Sequence, residues 1–181
     1  MSERVFYAAI SSDGYLAGPD GDMSWAAKYL ADGEDYGYVG LVSSSSAILM
    51  GRATFDFEIE SGVQGPRPLP TYVLTHIPEL YEDIQEDNLY FTGGDIGLVI
   101  DLIHVKHPGQ LFVMGGADVV KQLLEANLID TMRLFVCPED LGSGTLAFED
   151  DTAYNNFTLT DEKEYPSGII EEVYRKETNQ I

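Results

Sequence analysis

Cysteine is almost absent from the chain. Cys137 is the only one among 181 residues, so no disulfide forms within the chain, and we expect a reducing environment. It lies in a predicted strand next to Pro138, with no histidine beside it to activate the thiol. The sequence therefore predicts a buried, unreactive thiol.

Basic residues are also scarce. The chain has ten Lys and Arg residues against 31 Asp and Glu residues, which gives a formal net charge of -21. Nucleic-acid binding depends on basic residues that neutralise phosphates, so we exclude nucleic acid as a partner. The acidic residues are scattered along the sequence, which indicates a folded domain with a carboxylate-rich surface. Two explanations remain open: adaptation to high salt, where screening reduces self-repulsion, and ordinary acidity.

Long apolar runs are missing as well. No run approaches the roughly 20 residues that a membrane helix needs, and the first residues lack the pattern of a signal peptide. We expect a soluble, cytoplasmic protein that does not bind membranes. No linker rich in Pro, Gly or Ser divides the chain, and no internal repeat is visible. The length and the even spread of apolar residues predict one domain over residues 1–181.

Short apolar runs alternate with helical patterns along the chain. Strands are predicted at 5–10, 47–50, 71–75, 88–93, 111–114 and 131–138, with a closing hairpin at 157–165 and 168–176. Helices are predicted at 23–31, 35–45, 96–106 and after 116, a helical turn after 51, and a loop at 12–22. This alternation favours an α/β fold with a central, mostly parallel mixed sheet and an antiparallel C-terminal hairpin.

Three of the predicted strands end in residues that suit an anionic ligand. In open α/β sheets, ligands bind beyond the carboxyl ends of the strands. The residues at these ends are Gly51, Arg52, Ala53 and Thr54; Thr75 and His76; and Gly115, Gly116, Ala117 and Asp118. Two of the three ends lead directly into a helix, whose N-terminus offers unpaired N–H groups and about half a positive charge.

The glycine pair Gly115-Gly116 has two explanations. Without side chains the backbone can lie against a pyrophosphate; alternatively, the glycines only permit a tight turn and close helix packing. Arg52 favours the first explanation, because a guanidinium pairs with a phosphate in a forked geometry, although a surface carboxylate is its alternative partner. In a chain with so few cations, Arg52, Thr54 and His76 at strand ends predict a phosphate-bearing ligand.

Five segments follow one another in a familiar order from Val5 to about Phe148: VFYAAISSDGYLAG, MGRATF, YVLTH, FVMGGADVVKQLL and LIDTMRLFVCPEDLGSG. In this order and spacing the chain resembles the dihydrofolate reductase-like superfamily, and within it the C-terminal reductase domain of bacterial RibD. The resemblance implies a three-layer fold with helices on both faces of the sheet. It also implies NADPH as the cofactor, hydride transfer to a pyrimidine, pterin or similar small heterocycle, and a homodimer.

The resemblance assigns residues to the cofactor. Ala9 and Leu16 match residues whose backbones border the nicotinamide. The remaining matches are Gly51, Arg52 and Thr54 for the adenosine-side phosphates, Thr75 and His76 beside the 2'-phosphate, and Gly115, Gly116, Ala117, Asp118 and Val119 under the pyrophosphate. Such chemistry needs no protein nucleophile, because the cofactor carries the hydride.

Four further residues are candidates for the substrate side. Asp13 follows the first strand and could bond a substrate amide or relay a proton; alternatively it only forms an Asp-Gly turn. Asp22 has the same two interpretations. Tyr15 and Trp25 are predicted to wall the substrate cleft, with ordinary core packing as the alternative.

The chain departs from dihydrofolate reductases after Trp25. Those enzymes place a carboxylate five residues later, where this chain has Leu30, and Asp32 is out of step with that helix face. Dihydrofolate is therefore not the expected substrate. If the RibD resemblance is literal, the reaction reduces the ribosylamino group of a phosphorylated aminouracil and needs a second phosphate site, for which Arg67 and Lys106 are candidates by elimination.

Two functions of different classes follow from these patterns. The first is an NADPH-dependent reductase, and the alternative is a regulatory module that binds NADPH or another nucleotide without turnover. A metal site is not predicted. His104 and His107 lie three residues apart, but no second pair accompanies them, so a solvated helix face is the preferred interpretation.

Overall fold

The computed structural model describes residues 2–30, 33–62, 67–84 and 86–177. Its strands are β1 (Arg4–Ser11), β2 (Tyr15–Ala17), β3 (Ser45–Gly51), β4 (Thr71–Leu74), β5 (Leu89–Thr92), β6 (Gln110–Gly115), β7 (Thr131–Cys137), β8 (Thr145–Leu146), β9 (Phe157–Glu164) and β10 (Ile170–Lys176). Its helices are α1 (Ser24–Leu30), α2 (Tyr38–Ser44), α3 (Arg52–Ser61), α4 (Ile96–Lys106) and α5 (Ala117–Glu125), and short 3-10 turns lie at Pro19–Gly21, Pro78–Tyr81 and Asp151–Tyr154.

Eight strands form one sheet in the order β5-β4-β3-β6-β1-β7-β10-β9. The first six strands of this order pair in parallel, whereas β10 is antiparallel to both β7 and β9. The parallel strands are apolar almost throughout because both faces of the sheet are covered. This arrangement confirms the predicted mostly parallel α/β sheet with an antiparallel C-terminal hairpin.

Alternate residues of β3 show the two covered faces. Ala47 and Leu49 pack in the cluster that contains the buried faces of α4 and α5. Ile48 and Met50 pack in a second cluster with Phe55 of α3 and a buried residue of α2. Since side chains alternate along a strand, the helices lie on opposite faces, as predicted for the three-layer fold.

The predicted loop 12–22 was wrong in one respect, because it contains β2. This strand pairs with β8, which follows it by about 130 residues in the sequence. The contact is close, because a Cβ atom built on Gly144 would clash with the carbonyl oxygen of Ala17. Strands of two and three residues carry too little periodicity to be recognised from sequence.

Several local predictions also have clear outcomes. The helices predicted at 23–31 and 35–45 form over shorter spans, and residue 31 lies outside the described residues. Asn127 adopts a left-handed conformation after α5, with a φ of 58°. Cys137 is fully buried, and burial raises the pKa of its thiol to about 12, as expected of an unreactive thiol. Among the described helices, none is long and apolar enough to cross a bilayer.

An ion pair connects Arg4, at the start of β1, with Asp130, the residue before β7. The Arg4 guanidinium donates to both carboxylate oxygens of Asp130, at 2.7 and 2.8 Å, and the Arg4 backbone N–H donates at 2.9 Å. Burial alone would raise the pKa of Asp130, but these bonds outweigh it and the pKa is lowered. Since the folded-state pKa lies below the unfolded one, the bonds stabilise the fold above about pH 4 and lose this effect as the pH falls further.

We therefore expect Asp130→Asn to lower the free energy of unfolding by about 1 to 3 kcal/mol near neutral pH. The difference from the parent protein should begin to shrink below about pH 4 and be smaller at about pH 3, because the parent carboxylate takes up protons as the pH falls towards its lowered pKa. Urea unfolding at both pH values measures it, with Glu60→Gln, at an exposed position of α3, as the control. A difference that stays constant with pH would contradict the role assigned to the Asp130 charge.

Candidate functional site

The carboxyl ends of β3, β4 and β6 lie side by side in the sheet. Met50 of β3 pairs with Gly115 of β6, and Gly51 pairs with Leu74 of β4. Each strand end is followed by the residues singled out in the sequence. The parallel topology thus brings the three predicted strand ends to one edge of the sheet.

A cleft of about 550 Å³ opens at this edge. Among its lining residues are eight that were predicted to hold the cofactor: Gly51, Arg52, Thr75, His76, Gly116, Ala117, Asp118 and Val119. Its volume lies within the range of small-molecule sites.

The backbone segments at Gly51 and Gly116 lie close to each other. A Cβ atom built on Gly51 would lie 3.4 Å from the Gly116 nitrogen, and one built on Gly116 would lie 3.3 Å from Thr54 Oγ1. A side chain at Gly115 would point away from the cleft, towards the core. Gly115 is buried, has a φ of 104°, and a Cβ atom there would contact Phe6 at 3.7 Å. Gly116 therefore lines the cleft, while Gly115 supplies a backbone conformation that favours glycine.

The helices that enter the cleft begin without side-chain caps. Gly51 precedes α3 and Gly116 precedes α5, and neither helix has a side-chain hydrogen bond at its N-cap. By contrast, α4 is capped by Asp95, whose carboxylate accepts from the Leu98 N–H. The first N–H groups of α3 and α5 thus keep their capacity to bind an anion.

Arg52 lies at the cleft, and its contacts with neighbouring side chains are weak. Its side chain is 51% exposed, and the nearest carboxylate, Asp56, lies 3.8 Å away. Asp56 in turn accepts a hydrogen bond of 2.9 Å from the Tyr81 hydroxyl. The Tyr81 hydroxyl also interacts with Arg52, but contacts of such an exposed side chain contribute little to stability, so a ligand phosphate can replace them.

Six lining residues were missed by the sequence-based predictions: Leu74, Ile77, Gly93, Gly94, Gln122 and Thr145. Gly93 and Gly94 form another glycine pair at a strand end, a signal that the sequence contained. A Cβ atom on Gly93 would clash with the Thr75 carbonyl oxygen, so the chain packs closely there. Thr145 belongs to β8 and reaches the cleft only through the pairing with β2, which no sequence pattern indicated.

The residues assigned to the nicotinamide side do not line this cleft. Leu16 is partly buried against the main core, and Ala9 packs at the edge of the cluster that contains Trp25. Tyr15 is half-buried in β2, where it pairs with Leu146. Their assignment to cofactor or substrate stays a prediction.

Asp13 is exposed and holds the segment that follows β7. Its carboxylate accepts from the Ser11 hydroxyl at 2.6 Å and from the N–H groups of Leu141 and Gly142 at 3.1 and 2.7 Å. The Ser11 hydroxyl, followed by the two N–H groups, lowers the pKa of Asp13. At neutral pH Asp13 is therefore ionised and acts as an acceptor, in the manner of a turn-forming residue.

Asp22 and Trp25 have structural roles in this part of the chain. Asp22 accepts from the Ser24 N–H and hydroxyl at 2.9 and 3.0 Å at the start of α1, and these bonds lower its pKa. Trp25 is 8% exposed and packs with Phe135 and Tyr165. Its indole N–H is buried without a hydrogen-bond partner among the described residues.

Neither candidate for a second phosphate site is at this edge. Arg67 is buried, donates to Glu58 at 2.7 Å and stacks over the ring of Phe55. Lys106 ends α4, which leads into the amino end of β6. Asp32, the carboxylate out of step with the α1 face, lies outside the described residues. Within those residues, no group of three or more His, Cys, Asp or Glu side chains is arranged to hold a metal ion.

Comparison with known proteins places the fold. A sequence profile of the RibD C-terminal domain matches residues 5–170. The uncharacterized protein YwjB of Bacillus subtilis (strain 168) is 25% identical over 168 residues, which cover 92% of this chain and 94% of that protein.

Three crystal structures share the fold. A proposed riboflavin biosynthesis protein of Shewanella sp. PV-4 superposes with a TM-score of 0.82 at 24% identity, covering 97% of this chain and 99% of that one. The diaminohydroxyphosphoribosylaminopyrimidine deaminase/5-amino-6-(5-phosphoribosylamino)uracil reductase of Thermotoga maritima gives 0.76 at 15% identity, over 97% and 56% of the chains. Dihydrofolate reductase of Enterococcus faecalis, complexed with NADP(H), gives 0.64 at 17% identity, over 97% of both chains.

Proposed function

The chain belongs to the RibD C-terminal domain family, and from this premise and the cleft geometry we propose an NADPH-dependent reductase acting on a pyrimidine- or pterin-type heterocycle. One observation carries the proposal: Arg52 and Gly116 line the same cleft, and a Cβ atom built on Gly51, the residue before Arg52, would lie 3.4 Å from the Gly116 nitrogen. Two uncapped helix N-termini and a guanidinium at one cleft match the charge of a dinucleotide.

The residues of the cleft fit an extended ligand with two anionic groups, a pyrophosphate and a separate phosphate. The absence of a side chain at Gly116 leaves room for a pyrophosphate against the start of α5. Arg52, Thr54 and His76 would hold the phosphate of the adenosine ribose and its neighbours. When bound, NADPH supplies the hydride, so the protein has to bind and orient both reactants.

Asp13 is the proposed substrate contact on the protein side. In its ionised form it accepts hydrogen bonds and so could hold a ring N–H or amide of the heterocycle. A carboxylate with a lowered pKa is a poor proton donor near neutral pH, so the proton that completes the reduction would come from another group or from water. A homodimer, as the family resemblance implies, is part of the proposal and can be measured by sedimentation.

The proposal is tested by the loss of NADPH absorbance when the purified protein is mixed with a panel of pyrimidine and pterin compounds. We expect oxidation with at least one compound and thermal stabilisation by NADPH alone. Stabilisation without oxidation across the panel would favour the alternative, a nucleotide-binding regulatory module. Absence of both effects would contradict the cofactor assignment itself.

A further inference from the structure

Building on the reductase function proposed above, we infer that the heterocycle reduced by this chain carries no phosphate group, so that its substrates are free bases or nucleosides. Guanidinium and ammonium groups strengthen the binding of a substrate phosphate, and nearby carboxylates oppose it. All ten Lys and Arg residues of this chain lie within the described residues, so their positions can be compared directly.

Most of these cations are remote from the carboxyl edge of the sheet. The remote ones are Arg4, Arg67, Lys106, Arg175 and Lys176 near the amino edge, and Arg133 within β7. Arg133 stacks on Tyr7 and Phe135, but its Nε and one terminal nitrogen both donate to the buried Glu171, at 2.8 and 2.5 Å. The positive charge of Arg133 is therefore already compensated by Glu171.

Four cations remain at the carboxyl edge, namely Lys28, Arg52, Lys121 and Lys163. Lys163 lies over the ring of Tyr165 near the end of the outermost strand β9, three strands away from β1. Arg52 lines the cleft and serves the cofactor in the proposed function. A substrate that meets the cofactor must lie beside that cleft. Two places there can receive it: the ends of β1 and β7, and a neighbouring cavity along α5.

The ends of β1 and β7 are acidic. Lys28 is paired with Glu139, which follows β7. Asp140 accepts from the Ser12 hydroxyl at 2.6 Å, and Asp13 holds the adjoining backbone. Three carboxylates therefore lie at these strand ends, and the Lys28 ammonium already has a partner. A substrate phosphate here would meet like charge, and Lys28 would have to leave Glu139 to contact it.

The neighbouring cavity has a volume of about 440 Å³ and shares Ala117, Asp118 and Thr145 with the cleft. Its only cation, Lys121, donates to Glu149 at 2.6 Å. Glu125 adds a further carboxylate to the lining, while Phe148 and other apolar residues provide an uncharged surface. This cavity suits an uncharged or cationic ring compound and disfavours a phosphate in the same way.

The test compares one matched pair of compounds: the ribosylamino-substituted aminouracil nucleoside and its 5'-phosphate. Binding of each to the protein saturated with NADP+ is measured by calorimetry, and kcat/KM is measured with NADPH. We expect the nucleoside to be preferred by about tenfold or more in both measurements. Equal or tighter binding of the phosphorylated compound, or binding of neither, would overturn the inference.

The two proposals fail in different ways. If no compound of the panel oxidises NADPH, the reductase function fails, but the calorimetric preference still decides whether the binding site rejects a phosphate. If the phosphorylated compound is reduced efficiently, the function stands and the inference is overturned. Both readouts use the intact chain.

Charge reversal tests the physical basis of the preference. Asp140→Lys adds a cation at the β1 and β7 ends, and Glu125→Lys adds one at the α5 cavity. We expect at least one of them to lower the ratio by which the nucleoside is preferred by about threefold or more. A charge next to the bound phosphate affects binding more than a distant charge, which is screened by salt. Glu60→Lys, on the exposed end of α3, changes the net charge equally and should leave the ratio unchanged. Identical ratios in all three variants would contradict the electrostatic explanation.

Discussion

Replacing Arg52 with alanine is expected to weaken NADPH binding about tenfold to a hundredfold, and to weaken NADH binding much less. The two cofactors differ only by the 2'-phosphate. A forked guanidinium that contacts this phosphate contributes to NADPH alone, so the ratio of the two dissociation constants isolates the contact. Calorimetric titration at one fixed salt concentration measures both constants.

The loss of affinity in Arg52→Ala should not arise from a less stable fold. Arg52 is half exposed and its nearest carboxylate, Asp56, is 3.8 Å away, so its removal should leave the unfolding transition almost unchanged. Arg175 provides a matched control, since it is similarly exposed, pairs with Glu3 and lies at the opposite edge of the sheet. Arg175→Ala should leave both dissociation constants unchanged. Equal losses for NADPH and NADH in Arg52→Ala would show that the 2'-phosphate is read elsewhere.

The sheet could be predicted from sequence because its strands are continuous apolar runs with helices between them. Parallel strands buried on both faces, such as Ala47 to Met50, stand out from their surroundings. The pairing of β2 with β8 had no such signal, since a strand of two residues has no measurable period. Its position depends on a contact between Gly144 and Ala17 that only the folded chain creates.

The candidate cleft was partly predictable for a related reason. In a parallel sheet all carboxyl ends meet at one edge, so the residues that follow the strands can be grouped from the sequence alone. Arg52, His76 and Gly116 were found in this way, and Gly93-Gly94 could have been. The substrate residues are different, because Asp13 and Trp25 belong to a loop and a core cluster whose neighbours come from β7 and beyond. Side-chain type alone does not distinguish a ligand contact from a turn or a packed core.

A larger loss of NADPH affinity than in Arg52→Ala is expected from a substitution at Gly116. Gly116→Val should weaken NADPH binding by on the order of a hundredfold or more, since its side chain would occupy the space where a phosphate approaches the first N–H groups of α5. The backbone of Gly116 has a φ of −75°, which any residue adopts, so the fold should tolerate the change. The Cβ of the new side chain would lie 3.3 Å from Thr54 Oγ1, so the Cβ alone requires this hydroxyl to shift by only a few tenths of an ångström.

Gly115→Ala should give the opposite pattern. Its φ of 104° is unfavourable for alanine, which should lower the free energy of unfolding by about 1 to 2 kcal/mol. Its Cβ would contact the buried ring of Phe6 and would not enter the cleft, so NADPH affinity should change little. Calorimetry and urea unfolding of both variants separate the two effects. If Gly116→Val bound NADPH as tightly as the parent protein, the pyrophosphate would not cross this turn. The glycine pair would then serve only the packing of α5 against the sheet, which is the simpler of its two interpretations.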